Sequence, residues 1–364
     1  MNHHLPAWPS YPHATVINAL GTLDNPNLML EADGASLSNA YAQRAGAVDE
    51  RSLREALASG LTAVNITLGH VAGEAEPFEA TVRDIACWDA FIREHPSALR
   101  KVCTIADLEA AKQEGQVGVI YGFQNTLMLG QDLSRVRMFA QLGVKVIQLT
   151  YNGRNAVGDG ATVADDQGLS PFGRELVTRL QDDGVLMDLS HSSTRTCLDA
   201  LALAHRPPAI THSGCRAVAD HPRNKSDAEL RLLADKGGVI GIYWMPYLRL
   251  QGQPHAADML AHLEHAIQVC GEDHVGIGTD GSVTAFDDIA ACRRMLQADI
   301  DRRKALGIGA PGETADVVLY LPDLCGPDQF RDLAALLAHR GHTDARIEKI
   351  LGGNFKRVMA AAWE

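Results

Sequence analysis

Eight short apolar segments, each followed by a stretch with helical periodicity, constrain the fold of this chain more than any other feature. The segments are rich in Val and Ile and nearly continuously apolar, which is typical of parallel strands buried on both faces. They span residues 15–20, 61–68, 117–124, 144–151, 185–191, 209–213, 238–243 and 274–280. Eight strands alternating with helices predict an α/β fold, a closed (β/α)8 TIM barrel.

The 364 residues fit one barrel domain covering 1–364. Residues 25–49 are polar and rich in Gly, Ala and Asn, so we expect a long loop after the first strand. A short extra strand is expected at 101–105, beside the barrel. Residues 290–364 are expected to form helices that pack on the outside of the barrel.

Composition excludes several classes of function. The net charge of −12 argues against a nucleic-acid surface. No run of 18 apolar residues predicts a membrane span, and no basic stretch followed by an apolar one predicts a signal peptide. The seven cysteines contain no C-x-x-C pair, which favours reduced thiols and a cytoplasmic location.

Polar residues gather at the predicted carboxyl ends of the strands, where barrel enzymes place their active sites. The residues concerned are Gln124, Tyr151, Asn152, His191, His212 and Asp280. His191 and His212 end neighbouring strands, so two imidazoles could point at one metal ion. The alternative is that they are hydrogen-bonded residues of the core.

Asp280 follows a mostly apolar strand and precedes Gly281. A carboxylate at this position could act as a general base or ligate a metal, and the alternative is a helix cap. Asp188, three residues before His191, is more typical of a buried orienting partner. The loop containing Arg223 and Asn224 could hold a substrate carboxylate, or Arg223 could form a surface salt bridge.

Several motifs resemble those of the membrane dipeptidase (renal dipeptidase) family of zinc metallopeptidases. They are Asp188-Leu189-Ser190-His191, Thr211-His212-Ser213, His221-Pro222-Arg223-Asn224, Gly276-Ile277-Gly278-Thr279-Asp280-Gly281 and Leu351-Gly352-Gly353-Asn354-Phe355. They run in family order from about residue 118 onward. The first hundred residues match only by position and strand pattern.

The resemblance implies two zinc ions, one held by a His-x-Asp motif on the first strand and the other by the two histidines, with a bridging Glu on the third strand. Here Leu20 and Thr22 align with the His and Asp, and Gln124 stands in place of the Glu. Tyr151 occupies a position where many members carry His. We therefore expect the first metal site to be absent and one Zn2+ at most to bind, through His191, His212 and Asp280.

The sequence thus predicts a metal-dependent hydrolase acting on dipeptides or similar small amides. Asp280 would be the general base, Tyr151 an oxyanion donor, and Arg223 the group that binds the substrate carboxylate. Asn224, Gln124 and Asn152 are further candidates for substrate contacts. The alternative is an inactive relative that binds a peptide-like ligand, favoured by the replaced metal ligands. The resemblance also implies a possible homodimer.

Overall fold

The computed structural model describes residues 5–30 and 47–364, and its strands form one parallel sheet. The strands are β1 Ile17–Gly21, β2 Ala63–Leu68, β3 Leu99–Lys101, β4 Val117–Phe123, β5 Val144–Gln148, β6 Leu186–Asp188, β7 Ala209–Ser213, β8 Val239–Ile242 and β9 Val275–Ile277. Their order is β1-β2-β4-β5-β6-β7-β8-β9, and β3 pairs with β4 off this path. The extra strand predicted at 101–105 is therefore present, although it begins and ends earlier in the chain.

Hydrogen bonds join the end of β9 to β1 and complete the barrel. The Asn18 side chain donates to Thr279 Oγ1 at 2.8 Å and accepts from the Thr279 backbone at 2.8 Å. The Asp280 amide donates to the Leu20 carbonyl at 2.9 Å, and the Thr22 amide donates to the Gly281 carbonyl at 3.1 Å. The prediction of an eight-stranded parallel barrel is confirmed.

Helices follow most strands. They are α1 Pro26–Leu30, α2 Glu50–Ala58, α3 Pro77–Glu94, α4 Ile105–Glu114, α5 Ser134–Gln141, α6 Pro171–Asp182, α7 Thr194–Leu203, α8 Asp227–Asp235, α9 Ala256–Cys270, α10 Ile289–Ala305, α11 Gln329–His339, α12 Asp344–Glu348 and α13 Asn354–Trp363. A π-helical turn, Lys349–Gly353, joins α12 to α13. No helix in the described part of the chain is long and apolar enough to cross a membrane.

Local sequence sets the ends of these helices. α8 begins with a capping box in which the Ser226 hydroxyl accepts from the Glu229 amide and the Glu229 carboxylate accepts from the Ser226 amide. The chain leaves α8 through Gly237, whose φ of 74° is a left-handed conformation that glycine adopts without a Cβ clash. The next strand, β8, starts two residues later.

The inside of the barrel is filled at one end. Ile17, Ala63 and Ile120 pack there against Phe355 and Val358 of α13. A second, larger core lies between the sheet and the surrounding helices. α13 thus fills the end of the barrel where the strands begin. The cavity described below lies at the opposite end, where the strands finish.

The C-terminal region differs from the sequence expectation in the position of α10. Residues 290–364 were expected to pack on the outside of the barrel, but α10 lines a cavity at the carboxyl ends of the strands. Hydrophobic patterning shows that a helix has a buried face but does not say what covers it. Of the loop predicted at 25–49, residues 26–30 form α1, and residues 31–46 lie outside the described residues.

Candidate active site

A cavity of about 270 Å³ lies at the carboxyl ends of the strands. A cavity of this volume can hold a small-molecule ligand. The residues that line the cavity include Thr22, Gln124, Tyr151 and Asp280 near the strand ends, and Asp299, Arg302 and Arg303 of α10. The cavity therefore combines the predicted catalytic residues with charged groups from α10.

His191 and His212 lie side by side, as the barrel topology predicted. Their Nε2 atoms are 3.0 Å apart, and the ring planes are inclined at 59°. His191 comes three residues after the end of β6, and His212 lies within β7. The backbone amide of His212 donates to the Ser190 hydroxyl at 3.1 Å, which links the two strand ends.

Hydrogen bonds to the Nδ1 atoms orient both rings. Asn152 Oδ1 accepts from His191 Nδ1 at 2.7 Å, and Asn152 Nδ2 donates to the Ile308 carbonyl at 2.8 Å. The Thr211 hydroxyl donates to Asp188 at 2.6 Å, so it accepts from His212 Nδ1 at 2.9 Å. With both Nδ1 atoms protonated, the lone pairs of both neutral rings are on Nε2 and face each other.

The carboxylate of Asp188 supports the orientation of His212. Its carboxylate accepts four hydrogen bonds, from the amides and hydroxyls of Ser190 and Thr211, at 2.5–3.0 Å. Burial raises the pKa of Asp188, and the four donors oppose that rise by stabilising the ionised form. The residue acts through Thr211 on His212, which is the orienting role expected of it.

Arg223 is buried against the same pair of rings. Its Nη2 donates to His191 Nε2 at 2.9 Å, and its Nη1 donates to the Ser190 carbonyl at 2.8 Å. The guanidinium thus contacts the nitrogen that a metal would use. Only 2% of Arg223 is exposed, so its charge acts on the histidines with little screening by water.

Burial and positive charge keep both imidazoles neutral. Burial, followed by the charge of Arg223, holds the pKa of His191 and that of His212 well below their usual value. Lys225, which is also buried, lowers both pKa values further, and its Nζ donates to the Ser192 carbonyl at 2.6 Å. Neutral rings retain the lone pairs that bind metals or accept hydrogen bonds.

Asp280 has an unusual backbone conformation. Among the described residues it is the one non-glycine residue with a positive φ, 57°. Such a conformation costs free energy and is retained where the surrounding structure enforces it, commonly at functional sites. The hydrogen bond from its amide to Leu20 holds it at the junction of β9 and β1, where it lines the cavity.

Tyr151 and Gln124 line the cavity together with Asp280. The ring of Tyr151 stacks on His191 with centroids 4.2 Å apart and planes inclined at 20°. Gln124 Nε2 lies 3.5 Å from His212 Nε2. These contacts place both residues between the histidine pair and the open space.

Of the predicted site residues, Asn152, His191, His212, Arg223 and Asn224 are not among those that line the cavity. The Asn152 side chain bonds to His191 Nδ1 and to the Ile308 carbonyl, as described above. Asn224 is fully buried, with its Nδ2 donating to the carbonyls of Ala219 and Tyr247 and its Oδ1 accepting from the Tyr243 hydroxyl. Both side chains have their polar atoms satisfied within the fold.

The sequence reasoning missed the charges contributed by α10. Arg303 forms ion pairs with Glu313 and with Asp299, and Arg302 donates to Asp299 at 2.6 Å. No local motif marks these residues. Only the fold of α10 over the strand ends brings them to the cavity.

Comparisons with known proteins give the family of this chain. The model of the membrane dipeptidase family, peptidase family M19, matches residues 14–306. An uncharacterised dipeptidase of Schizosaccharomyces pombe is 31% identical over 263 residues, covering 70% of this chain and 56% of that protein. Dipeptidase verJ of Clonostachys rogersoniana is 26% identical over 296 residues, covering 81% of this chain and 68% of that protein.

A solved structure described as an amidohydrolase from Pseudomonas aeruginosa superposes with a TM-score of 0.80 at 28% identity. The match covers 97% of this chain and 98% of that one. The match to the S. pombe dipeptidase, in contrast, takes in little more than half of that relative's length. The family model nevertheless spans most of this chain, including the two histidines, Arg223 and Asp280, and the chain belongs to the membrane dipeptidase family, peptidase family M19.

Proposed function

We propose that this protein hydrolyses dipeptides or similar small amides with the help of one divalent metal ion. The observation that carries the proposal is the approach of His191 Nε2 to His212 Nε2, 3.0 Å apart, beside a cavity lined by Asp280 and Tyr151. Relatives described as dipeptidases support the same reaction class.

The two imidazoles fit one metal ion. Nitrogen ligands about 2.0–2.1 Å from a tetrahedral zinc lie about 3.3 Å from each other, close to the separation found here. In the described part of the chain, no group of three or more His, Cys, Asp and Glu side chains is arranged to hold a metal. We propose one Zn2+ at most, because Leu20, Thr22 and Gln124 stand where the family resemblance implies the other ligands. His191 and His212 would hold the ion, and Asp280 would have to approach them to complete its shell together with water or substrate.

An ion bound there would supply Lewis-acid activation of the scissile carbonyl and of the attacking water. Asp280 would accept the proton of that water and return it to the leaving amine, as a general base and then a general acid. Its enforced backbone conformation keeps the carboxylate at the cavity during both transfers. The Tyr151 hydroxyl, fixed by stacking of its ring on His191, would donate to the oxygen that becomes negative.

For substrate binding we propose Arg223 and Gln124. Two of the five N–H groups of the Arg223 guanidinium bond to Ser190 and His191, and the guanidinium is suited to a bidentate carboxylate contact. Gln124 offers an amide to the substrate backbone from the cavity wall. We reassign Asn152 to positioning His191, and Asn224 to holding the loop that carries Arg223.

A second function, binding of a peptide-like ligand without cleavage, is favoured by one contact. Arg223 Nη2 donates to His191 Nε2, the atom that would ligate a metal. If this contact persists in the presence of metal and ligand, only one imidazole remains for the ion, and hydrolysis would lose its activating cation.

A panel of dipeptides tested with added zinc, cobalt or manganese separates the two functions. We expect hydrolysis that depends on the metal and falls by ~10²-fold or more in Asp280→Asn, the usual loss for a missing general base. Metal content and thermal unfolding of this variant should stay close to the wild type, because His191 and His212 would retain the ion and water can fill the remaining position. Binding of dipeptides without turnover at any metal concentration would support the non-catalytic function. A cytoplasmic location and a homodimer stay predictions.

A further inference from the structure

The segment that follows α10, residues 308–313, is fastened to loops at the carboxyl ends of the strands. Asn152, in the loop after β5, donates from Nδ2 to the Ile308 carbonyl at 2.8 Å. His221, in the loop after β7, donates from Nε2 to the Pro311 carbonyl at 2.9 Å. We call this segment the strap.

Glu313 fixes the last residue of the strap. Its carboxylate accepts a hydrogen bond from the Tyr247 hydroxyl and forms an ion pair with Arg303 of α10. Only 6% of Glu313 is exposed, so water screens these contacts little. Arg303 and Ile308 both line the cavity, whereas Glu313 does not. Glu313 therefore joins the strap to the cavity wall without facing the cavity itself.

The contact between Asn152 and Ile308 determines which way round the Asn152 amide lies. Because a carbonyl can only accept, Nδ2 of Asn152 turns toward Ile308 and Oδ1 turns toward His191. Oδ1 can only accept, so the His191 ring carries its proton on Nδ1, 2.7 Å away. Nε2 of His191 then keeps the lone pair that faces His212. A reversed amide would donate to Nδ1 and favour a proton on Nε2, the nitrogen that a metal would use.

Arg223 donates to the same Nε2 and favours the same tautomer, but it cannot share that lone pair with an ion. We propose that the strap sets the tautomer of His191 once Arg223 has left. The Ile308 carbonyl orients the Asn152 amide, and Glu313 is the positioning residue that holds the strap. The inference rests on the proposed function for a metal at Nε2, but the tautomer can be measured without metal.

NMR of metal-free protein with 15N-labelled histidine reads the tautomer, because protonated and unprotonated ring nitrogens differ in chemical shift. The measurement uses Arg223→Met protein, which lacks the donor to Nε2 of His191. At about pH 8, where neutral imidazole prevails, we expect one tautomer with the proton on Nδ1. Adding Glu313→Lys, which sets an ammonium against Arg303, should displace the strap and populate both tautomers. Asp316→Lys makes the same charge change at an exposed position and should keep one tautomer.

Asn152→Asp separates amide orientation from general damage to the site. A carboxylate accepts from Nδ1–H whichever way it turns, so this change should restore the single tautomer in the Glu313→Lys protein. Glu313→Ala removes the same two contacts without adding charge and should also populate both tautomers. A single tautomer in both Glu313 variants, or two tautomers after Asn152→Asp is added, would overturn the proposal.

Zinc affinity, measured with Arg223 intact, tests the consequence for the metal. Glu313→Lys should weaken zinc about tenfold more in the protein with Asn152 than in Asn152→Asp protein, because the comparison cancels the direct effect of the added charge. Equal losses in the two proteins would overturn the link between the strap and the metal. A tautomer that depends on the strap, in a protein that binds no zinc, would retain the inference and reject the proposed reaction.

Discussion

Nη2 of Arg223 lies 2.9 Å from Nε2 of His191, the same nitrogen that faces His212 at 3.0 Å. A guanidinium hydrogen bond and a metal bond cannot use one lone pair at the same time. A ligand carboxylate that pairs with Arg223 would draw the guanidinium away and free His191. If Arg223 binds a ligand carboxylate as proposed, metal binding and ligand binding would be linked through this one side chain.

Arg223→Met should strengthen metal binding by about tenfold or more, because it removes a buried positive charge beside the ligand nitrogens while keeping most of the side-chain volume. Competition with a chromophoric zinc chelator measures the dissociation constant. Arg231→Met, on the exposed side of α8, is the matched control. Unchanged zinc affinity in Arg223→Met would show that Arg223 does not compete with the ion.

Purified protein should hold at most one transition-metal ion per chain, since Leu20, Thr22 and Gln124 stand where the family resemblance implies His, Asp and Glu. His191→Ala or His212→Ala should remove most of that metal, because one imidazole alone binds weakly. Elemental analysis after dialysis gives the count. Two retained ions, or full metal content in both variants, would contradict this assignment.

Arg223→Lys should impair substrates with a free C-terminal carboxylate, and Arg223→Ala should impair them further. A guanidinium binds a carboxylate through two parallel hydrogen bonds, whereas an ammonium is a point charge. The loss in kcat/KM for Arg223→Ala should be about 2–4 kcal/mol for the acid and small for the C-terminal amide of the same peptide. Equal losses for acid and amide would assign Arg223 to the fold.

The free energy of unfolding should fall as the pH drops from about 6.5 to about 4, in part because of His262. Burial lowers the pKa of His262 from 6.5 to about 4 in the folded protein. Its Nδ1 accepts from the Cys215 amide at 2.8 Å and its Nε2 donates to Leu248, so protonation would break the first bond. The unfolded chain takes up the proton first, and stability is lost as pH falls, by about 3 kcal/mol for this group.

Urea unfolding between pH 7 and pH 4 measures the effect. His262→Gln should be less stable at pH 7 but should lose less stability on acidification than wild type. The exposed His339→Gln should retain the wild-type slope. Parallel pH profiles for wild type and His262→Gln would rule out His262 as a source of the acid sensitivity.

The barrel was predictable from sequence because each strand is a short apolar run buried on both faces, and β7 was predicted with the bounds it has. His191 and His212 could be paired in advance for the same reason, since adjacent parallel strands end at one face. This prediction requires only the order of the strands along the chain. It does not need the positions of side chains.

Other parts of the site depend on contacts that no local pattern encodes. Arg223 was expected to point at substrate, but its bond to His191 depends on how the loop after β7 folds back over β6. Arg303 reaches the cavity because α10 crosses the strand ends instead of joining the outer ring of helices.

Phe355 and Val358 of α13 pack against Ile17 and Ala63 inside the barrel. They limit the routes by which small molecules can reach and leave the cavity. Among the described residues these side chains fill the barrel interior at the end where the strands begin. A molecule that enters at the carboxyl ends of the strands is therefore expected to leave by the same face. Both fragments of a cleaved dipeptide would then depart through the opening that admits the next substrate. Whichever fragment leaves last delays the following turnover, and accumulated product would compete directly with fresh substrate.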